Sequence, residues 1–76
     1  MITVKYFASL RETLGRDEDT LQADAVATVK DVWDRVAGSP LRPAQCLVAV
    51  NMEYATMEHP VKDGDEVAFF PPVTGG

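Results

Sequence analysis

Val29, Val32, Trp33 and Val36 recur at i, i+3, i+4 and i+7, an apolar stripe along one side of a helix. Thr28 can serve as its N-cap, Asp31 suits the positive end of the helix dipole in the first turn, and Gly38 and Pro40 stop it. This is the best helix in the 76 residues, and its single apolar face has to be buried against another element. The rest of the chain supplies mostly strands.

Ile2 to Phe7 alternates, with Ile2, Val4 and Tyr6 on one side and Thr3, Lys5 and Phe7 on the other. Ser9 stands three residues before Glu12, the spacing of a capping box, and Leu10 and Leu14 precede Gly15, which can close a short helix. Arg16 to Asp19 reads as a polar loop and Thr20 to Ala23 as a short strand suited to a sheet edge. Leu41 to Gln45 reads as a connection, and Cys46 to Val50 as a continuous apolar run suited to a buried strand. Asn51-Met52-Glu53 turns the chain toward a short strand around Tyr54. Lys62-Asp63-Gly64-Asp65 forms another turn, and Glu66 to Phe70 is the last strand, ended by Pro71. The order predicts an α+β roll, a mixed sheet covered on one face by the helix from Thr28 to Ala37.

A chain of this length makes one small domain, and 46% hydrophobic with 25% charged residues describes a globular protein. One cysteine, Cys46, and one histidine, His59, allow neither a disulfide framework nor a Cys/His zinc site, and no metal is expected. A net charge of -5 disfavours nucleic acid and anionic lipid as partners. The chain opens directly in a strand, without a basic region and apolar run, and no stretch is long enough to span a membrane. A cytoplasmic protein is expected.

Catalysis requires a base, a nucleophile or a metal within hydrogen-bonding reach, and the candidates are few. His59, followed by Pro60, reads as an exposed or backbone-bonded loop residue. Cys46 opens an apolar strand, where cysteine behaves as a small hydrophobe, and Trp33 lies on the helix's core stripe. Asp63, Asp65 and Glu66 flank a glycine at the wrong spacing for a calcium loop and read as turn chemistry.

The ending Phe69-Phe70-Pro71-Pro72-Val73-Thr74-Gly75-Gly76 is different. Frayed disorder does not explain two phenylalanines and two prolines ahead of paired glycines. The prolines favour a stiff, extended chain, which at roughly 3.3 Å per residue lets residues 71–76 project about 20 Å. Gly75 and Gly76 can enter a slot closed to any side chain and leave a terminal carbonyl open from either face. Behind this tail, Val67 and Phe69 are expected to face the core, so that Phe70 and Phe7 face away and form a docking patch with Tyr54 as a third member. A terminal carboxylate is ionised at neutral pH and is a poor electrophile, so it must be activated to act as a carrier. The available route is attack on the α-phosphate of ATP, giving an acyl adenylate that a sulfur or amine nucleophile displaces. The chain has no phosphate-binding loop, so another protein has to supply that site.

The whole chain resembles the small-subunit family of molybdopterin synthase, the sulfur carriers of molybdenum cofactor biosynthesis. The first strand with Phe7-Ala8-Ser9-Leu10-Arg11-Glu12, then Ala49-Val50-Asn51, then the run from His59 to Gly76 carry the resemblance. It implies a ubiquitin-like β-grasp fold, with the domain over 1–70 and an extended tail over 71–76. It further implies that a ubiquitin-activating-type adenylyltransferase uses ATP and magnesium to adenylate Gly76, and that a sulfur donor protein completes the thiocarboxylate. This chain itself binds no cofactor. The tail then enters the large synthase subunit, in a 2:2 heterotetramer, and gives its sulfur to cyclic pyranopterin monophosphate. The catalytic pocket is thus expected in the large subunit, not in this chain.

By the same resemblance Gly76 bears the sulfur, Gly75 gives clearance, and Val73 and Thr74 line the inserted tail. Phe7, Tyr54 and Phe70 correspond to the apolar contact with the large subunit and with the activating enzyme, Tyr54 standing where the family more usually has an aliphatic residue. Arg11 either adds a polar contact or is a solvated helix residue. The alternatives are a sulfur carrier for thiamine biosynthesis or tRNA thiolation, a ubiquitin-like modifier joined to lysines through Gly76, and a plain interaction module.

Overall fold

The computed structural model describes residues 1–37 and 47–71. Its elements are β1 (Ile2–Tyr6), α1 (Ser9–Leu14), β2 (Glu18–Leu21), a 3-10 turn (Ala23–Ala25), α2 (Val29–Ala37), β3 (Leu47–Val50), β4 (Glu53–Ala55) and β5 (Glu66–Phe70). The strands form one sheet in the order β2-β1-β5-β3-β4, with β1 and β5 parallel and the other neighbours antiparallel. The expected mixed sheet with one main helix on one face is what forms. The stop signals Gly38 and Pro40, the connection Leu41 to Gln45, and Cys46 lie outside the described residues.

The stripe on α2 explains where the core sits. Val29, Val32 and Trp33 are buried against Ile2, Val4, Tyr6, Val48, Val50, Val67 and Phe69, with Val36 packed at the margin. Phe69 is the centre: its ring lies edge-on to Trp33 at 4.9 Å and stacks on Tyr6 at 6.5 Å. Trp33 is therefore a core residue, as its place on the stripe required.

The start of α2 is held at several points. The Asp31 carboxylate accepts the Ala27 and Thr28 backbone N–H groups at 2.9 and 3.2 Å, and the Thr28 hydroxyl accepts the Asp31 N–H at 3.4 Å. These two backbone donors hold the Asp31 carboxyl below the usual carboxylate range. The next helix donors, Val29 and Lys30, reach the carbonyls of His59 and Met57 at 3.0 and 2.8 Å. His59 is exposed and contributes its backbone here, in line with the loop role expected of it.

Three local expectations need correction. Ser9 was expected to cap α1, but the helix includes it and Ala8, which has no side-chain acceptor, occupies the N-cap position. Backbone closes that turn instead, with Leu10 N–H donating to the Phe7 carbonyl and Arg11 N–H to the Ala8 carbonyl at 3.2 and 3.1 Å. The edge strand runs over Glu18–Leu21 rather than Thr20 to Ala23, because antiparallel pairing with β1 in the register Ile2↔Leu21 to Lys5↔Glu18 recruits residues whose polar side chains looked like loop. The run before Asn51 is not buried on both sides. Val48 and Val50 enter the core while Leu47 is exposed, so β3 covers helix on one face only.

A second polar cluster fastens α2 to the sheet edge. Tyr6 donates to Asp19 at 2.8 Å, Arg16 pairs with the same carboxylate, and the Arg16 guanidinium also reaches the Val36 carbonyl. Burial, then the Asp19 carboxylate, push the Tyr6 phenol above its ordinary range.

Candidate functional site

The sheet face away from α2 is where the chain leaves apolar groups in solvent. Along β5 the alternation is strict: Val67 and Phe69 are wholly buried, and Ala68 and Phe70 point to the uncovered face. Phe70 is the last residue of the strand and pairs with Leu47, so the uncovered face ends where Pro71 begins. One residue earlier the core grips Phe69. The direction in which the chain leaves the sheet is thus set by the most enclosed ring in the molecule.

Around Phe70 the sheet gathers the other apolar residues. Tyr54 faces outward from β4 opposite Ala49, is 79% exposed, and has its ring centroid 6.0 Å from that of Phe70. Leu47 lies across from Phe70 on β3. Phe7 follows the Tyr6↔Phe69 pair in register, is exposed, and donates its N–H to the Phe69 carbonyl at 3.1 Å. Its position is held by the turn at Ala8, whose φ of 55° and ψ of -131° are those of the first central residue of a type II′ turn, a seat that favours glycine. Further along the face, Lys5 pairs with Glu66 at 3.7 Å and ends the apolar area with charge.

Of the residues expected to dock a partner, Tyr54 and Phe70 are in ring contact and Phe7 lies on the neighbouring strand's exit. Arg11 is solvent-exposed on α1. Val73, Thr74, Gly75 and Gly76 lie outside the described residues, and Pro71 is the last described one. Leu47 was not anticipated, although its position two residues before Ala49 and three before the buried Val50 carries the period-2 signal that an all-apolar run conceals.

Asn51 and Asp65 were also missed as a pair. The Asn51 amide donates to the Asp65 carboxylate at 2.9 Å, while its carbonyl oxygen accepts the Glu66 N–H at 3.0 Å. Asp65, almost fully buried, also accepts the Lys62 N–H at 2.9 Å and the Lys62 ammonium at 3.2 Å. The Asn51 bond, followed by those from Lys62, holds the Asp65 carboxyl below the ordinary carboxylate range despite its burial. This network ties the β3–β4 hairpin to the start of β5. Asp65 is turn chemistry, as the glycine beside it suggested.

An open cleft of about 330 Å³ runs beside the hairpin, lined in part by Asn51, Tyr54, His59 and Lys62. Among the described residues no three His, Cys, Asp or Glu side chains are placed to share a metal ion, and no helix is long and apolar enough to cross a membrane. What the described residues do present is an apolar face beside the root of the terminal segment.

A five-stranded mixed sheet in this order, with one main helix packed across it, is a ubiquitin-like β-grasp. The chain belongs to the ThiS family, whose model matches residues 4–76. It is 43% identical to the molybdopterin synthase sulfur carrier subunit of Escherichia coli (strain K12), with 100% of each chain covered. Among solved structures, SAMP1 from Haloferax volcanii superposes with a TM-score of 0.79 at 32% identity, covering 99% of this chain and 98% of that one. A chain of the BexX/CysO complex from Amycolatopsis orientalis superposes with a TM-score of 0.65 at 32% identity, covering 100% of both.

Proposed function

We propose that this chain is the sulfur-carrier subunit of a molybdopterin synthase, with the terminal carboxylate of Gly76 as its reactive group. The observation that carries this reading is the similarity to the E. coli carrier subunit, which covers 100% of both chains, Gly75-Gly76 included. The apolar face around Phe70 supports it, because a carrier needs a place to dock close to the root of the segment it inserts.

The chemistry follows from the carboxylate. One of its oxygens attacks the α-phosphorus of ATP, with magnesium on the phosphates, and pyrophosphate leaves. Sulfide-level sulfur released by a donor protein then attacks the acyl carbon of the adenylate, AMP leaves, and the product is a thiocarboxylate. An adenylyltransferase of the ubiquitin-activating type provides the nucleotide site, and this chain holds neither ATP nor metal. The thiocarboxylate is anionic at neutral pH and sulfur is its soft nucleophilic end. Gly75 allows it through a narrow channel, Val73 and Thr74 line the inserted tail, and the large subunit supplies the pocket where sulfur passes to cyclic pyranopterin monophosphate.

In this reading Phe7, Tyr54 and Phe70 dock the large subunit in a 2:2 heterotetramer and dock the activating enzyme in turn, with Arg11 as a polar contact at the margin. Residues 71–76 work as an extended tail on a domain formed by residues 1–70, in the cytoplasm. Two acceptor sulfurs require two carrier turnovers per product.

The test is mass spectrometry of the protein from cells, seeking one oxygen replaced by sulfur, followed by incubation with the large subunit and the pyranopterin. Loss of that sulfur to the pterin is the expected result. Retention of the sulfur points instead to a thiamine or tRNA acceptor. The likeness to SAMP1, a small archaeal modifier protein, favours one second reading, attachment to lysines through Gly76. A ladder of higher-mass conjugates on a denaturing gel distinguishes it.

A further inference from the structure

Two independent anomalies fall on Met52. It is 91% exposed, more than any other large hydrophobic residue among those described. Its backbone φ is 70°, next to Asn51 at 52°, so the two form the centre of a two-residue hairpin turn with both residues left-handed. Such a type I′ turn strongly favours Asn-Gly: asparagine tolerates the first seat, while the second is glycine's. Methionine there is unfavourable for the backbone, and its side chain gains nothing from the core. A residue that satisfies neither the turn nor the solvent has no stabilising role in the isolated chain.

Its location supplies one. Val50 and Glu53 close the hairpin ladder, and Tyr54, two residues beyond Met52, faces outward in ring contact with Phe70. By register the hairpin tip lies at the Glu66 end of β5, so Met52 stands beyond Tyr54 on the side away from Phe70. The turn is also rigid, since Asn51 is bonded through its N–H to the Glu66 carbonyl at 2.8 Å and through its side chain to Asp65 and Glu66. A flexible, polarizable thioether on a fixed turn fits an apolar recess whose outline need not match it closely.

We propose that Met52 is a further docking residue of this face, seated in an apolar recess of the large subunit beyond the one that receives Tyr54 and Phe70. This rests on the docking reading given above and extends it to a residue outside the apolar cluster. Methionine and aromatic residues are enriched at protein interfaces, and adjacency to the exposed Tyr54 makes the same partner the occupant.

The experiment is calorimetric titration of the intact chain with purified large subunit, using Met52→Gly, Met52→Gln and Met52→Leu, with Phe70→Ala as reference. Met52→Gly suits the turn, so its melting temperature should not fall below that of the parent. Met52→Gln keeps the length and the backbone cost while removing the apolar end. The Gly and Gln variants should both bind about fivefold or more weakly, and Met52→Leu within about twofold of the parent. Parental affinity in the Gly and Gln variants, with Phe70→Ala weakened, overturns the role of Met52 and leaves the docking face standing. Parental affinity in Phe70→Ala as well overturns the face itself.

Discussion

Phe69 and Phe70 are neighbours in sequence and opposites in environment. The first ring is closed between Trp33 and Tyr6, and the second lies 6.0 Å from Tyr54 on the face that no described element covers. Pro71 follows at once, so the same two residues anchor the end of the sheet and mark the surface beside its exit.

Replacing each by alanine should therefore separate stability from docking. Phe69→Ala removes a fully buried ring and should cost about 3–5 kcal/mol of folding free energy, seen as a large fall in melting temperature. Phe70→Ala should leave the melting temperature close to that of the parent while weakening binding to the large subunit by about 2 kcal/mol or more. A marked loss of stability in Phe70→Ala with unchanged binding would reverse the assignment of faces.

Removal of Gly76 tests the carrier chemistry without touching the core. The shortened chain should unfold at the parental temperature and bind the large subunit, because the apolar face around Phe70 remains. It should support no product formation in a reconstituted synthase. Full activity after that deletion would eliminate the carboxylate as the sulfur-bearing group.

The Asp65 network makes a pH-dependent contribution with a definite sign. Its folded-state carboxyl titrates below the unfolded value of about 3.9, so in the range between the two the folded chain binds fewer protons than the unfolded chain. Its stabilisation is complete well above that value and is lost as pH falls through the folded pKa. Asp65→Ala, which leaves Asn51 and Lys62 donors without their acceptor, should cost about 1–3 kcal/mol at neutral pH and flatten the acid limb of the stability curve. Chemical denaturation between pH 7 and pH 3 measures both, and an unchanged acid limb would remove Asp65 from the account.

Much of this was readable from residue order because local geometry has fixed periods. Val29, Val32, Trp33 and Val36 could share a side only on a helix, and the alternation through Val67, Ala68, Phe69 and Phe70 could only divide a strand between two faces. The turn at Gly64, the helix end at Gly15 and the functional reading of Gly75-Gly76 follow from what glycine permits and other residues do not.

The misses share a cause. Glu18 and Asp19 looked like loop because their strand character comes from pairing with Lys5 and Val4, not from their own side chains. Ser9 looked like a cap because the spacing to Glu12 was right, yet the chain reverses one residue earlier, at Ala8, to bring Phe7 beside β5. Leu47 and Met52 each lost their meaning in sequence, one inside an apolar run and the other inside a turn.

The sequence by itself determined most of the elements and the identity of the core stripe, and it carries the proposal for the terminal glycines, since these depend on short-range backbone preferences and on which groups the residues carry. Only the tertiary structure decided that Tyr54, 16 positions before Phe70 in the chain, would meet it, that Asp65 would be buried with its carboxylate held by the Asn51 amide, and that Met52 would stand at the hairpin tip beyond Tyr54. Those relationships exist because β5 inserts between β1 and β3, and strand order is a property of the whole sheet that no local segment encodes.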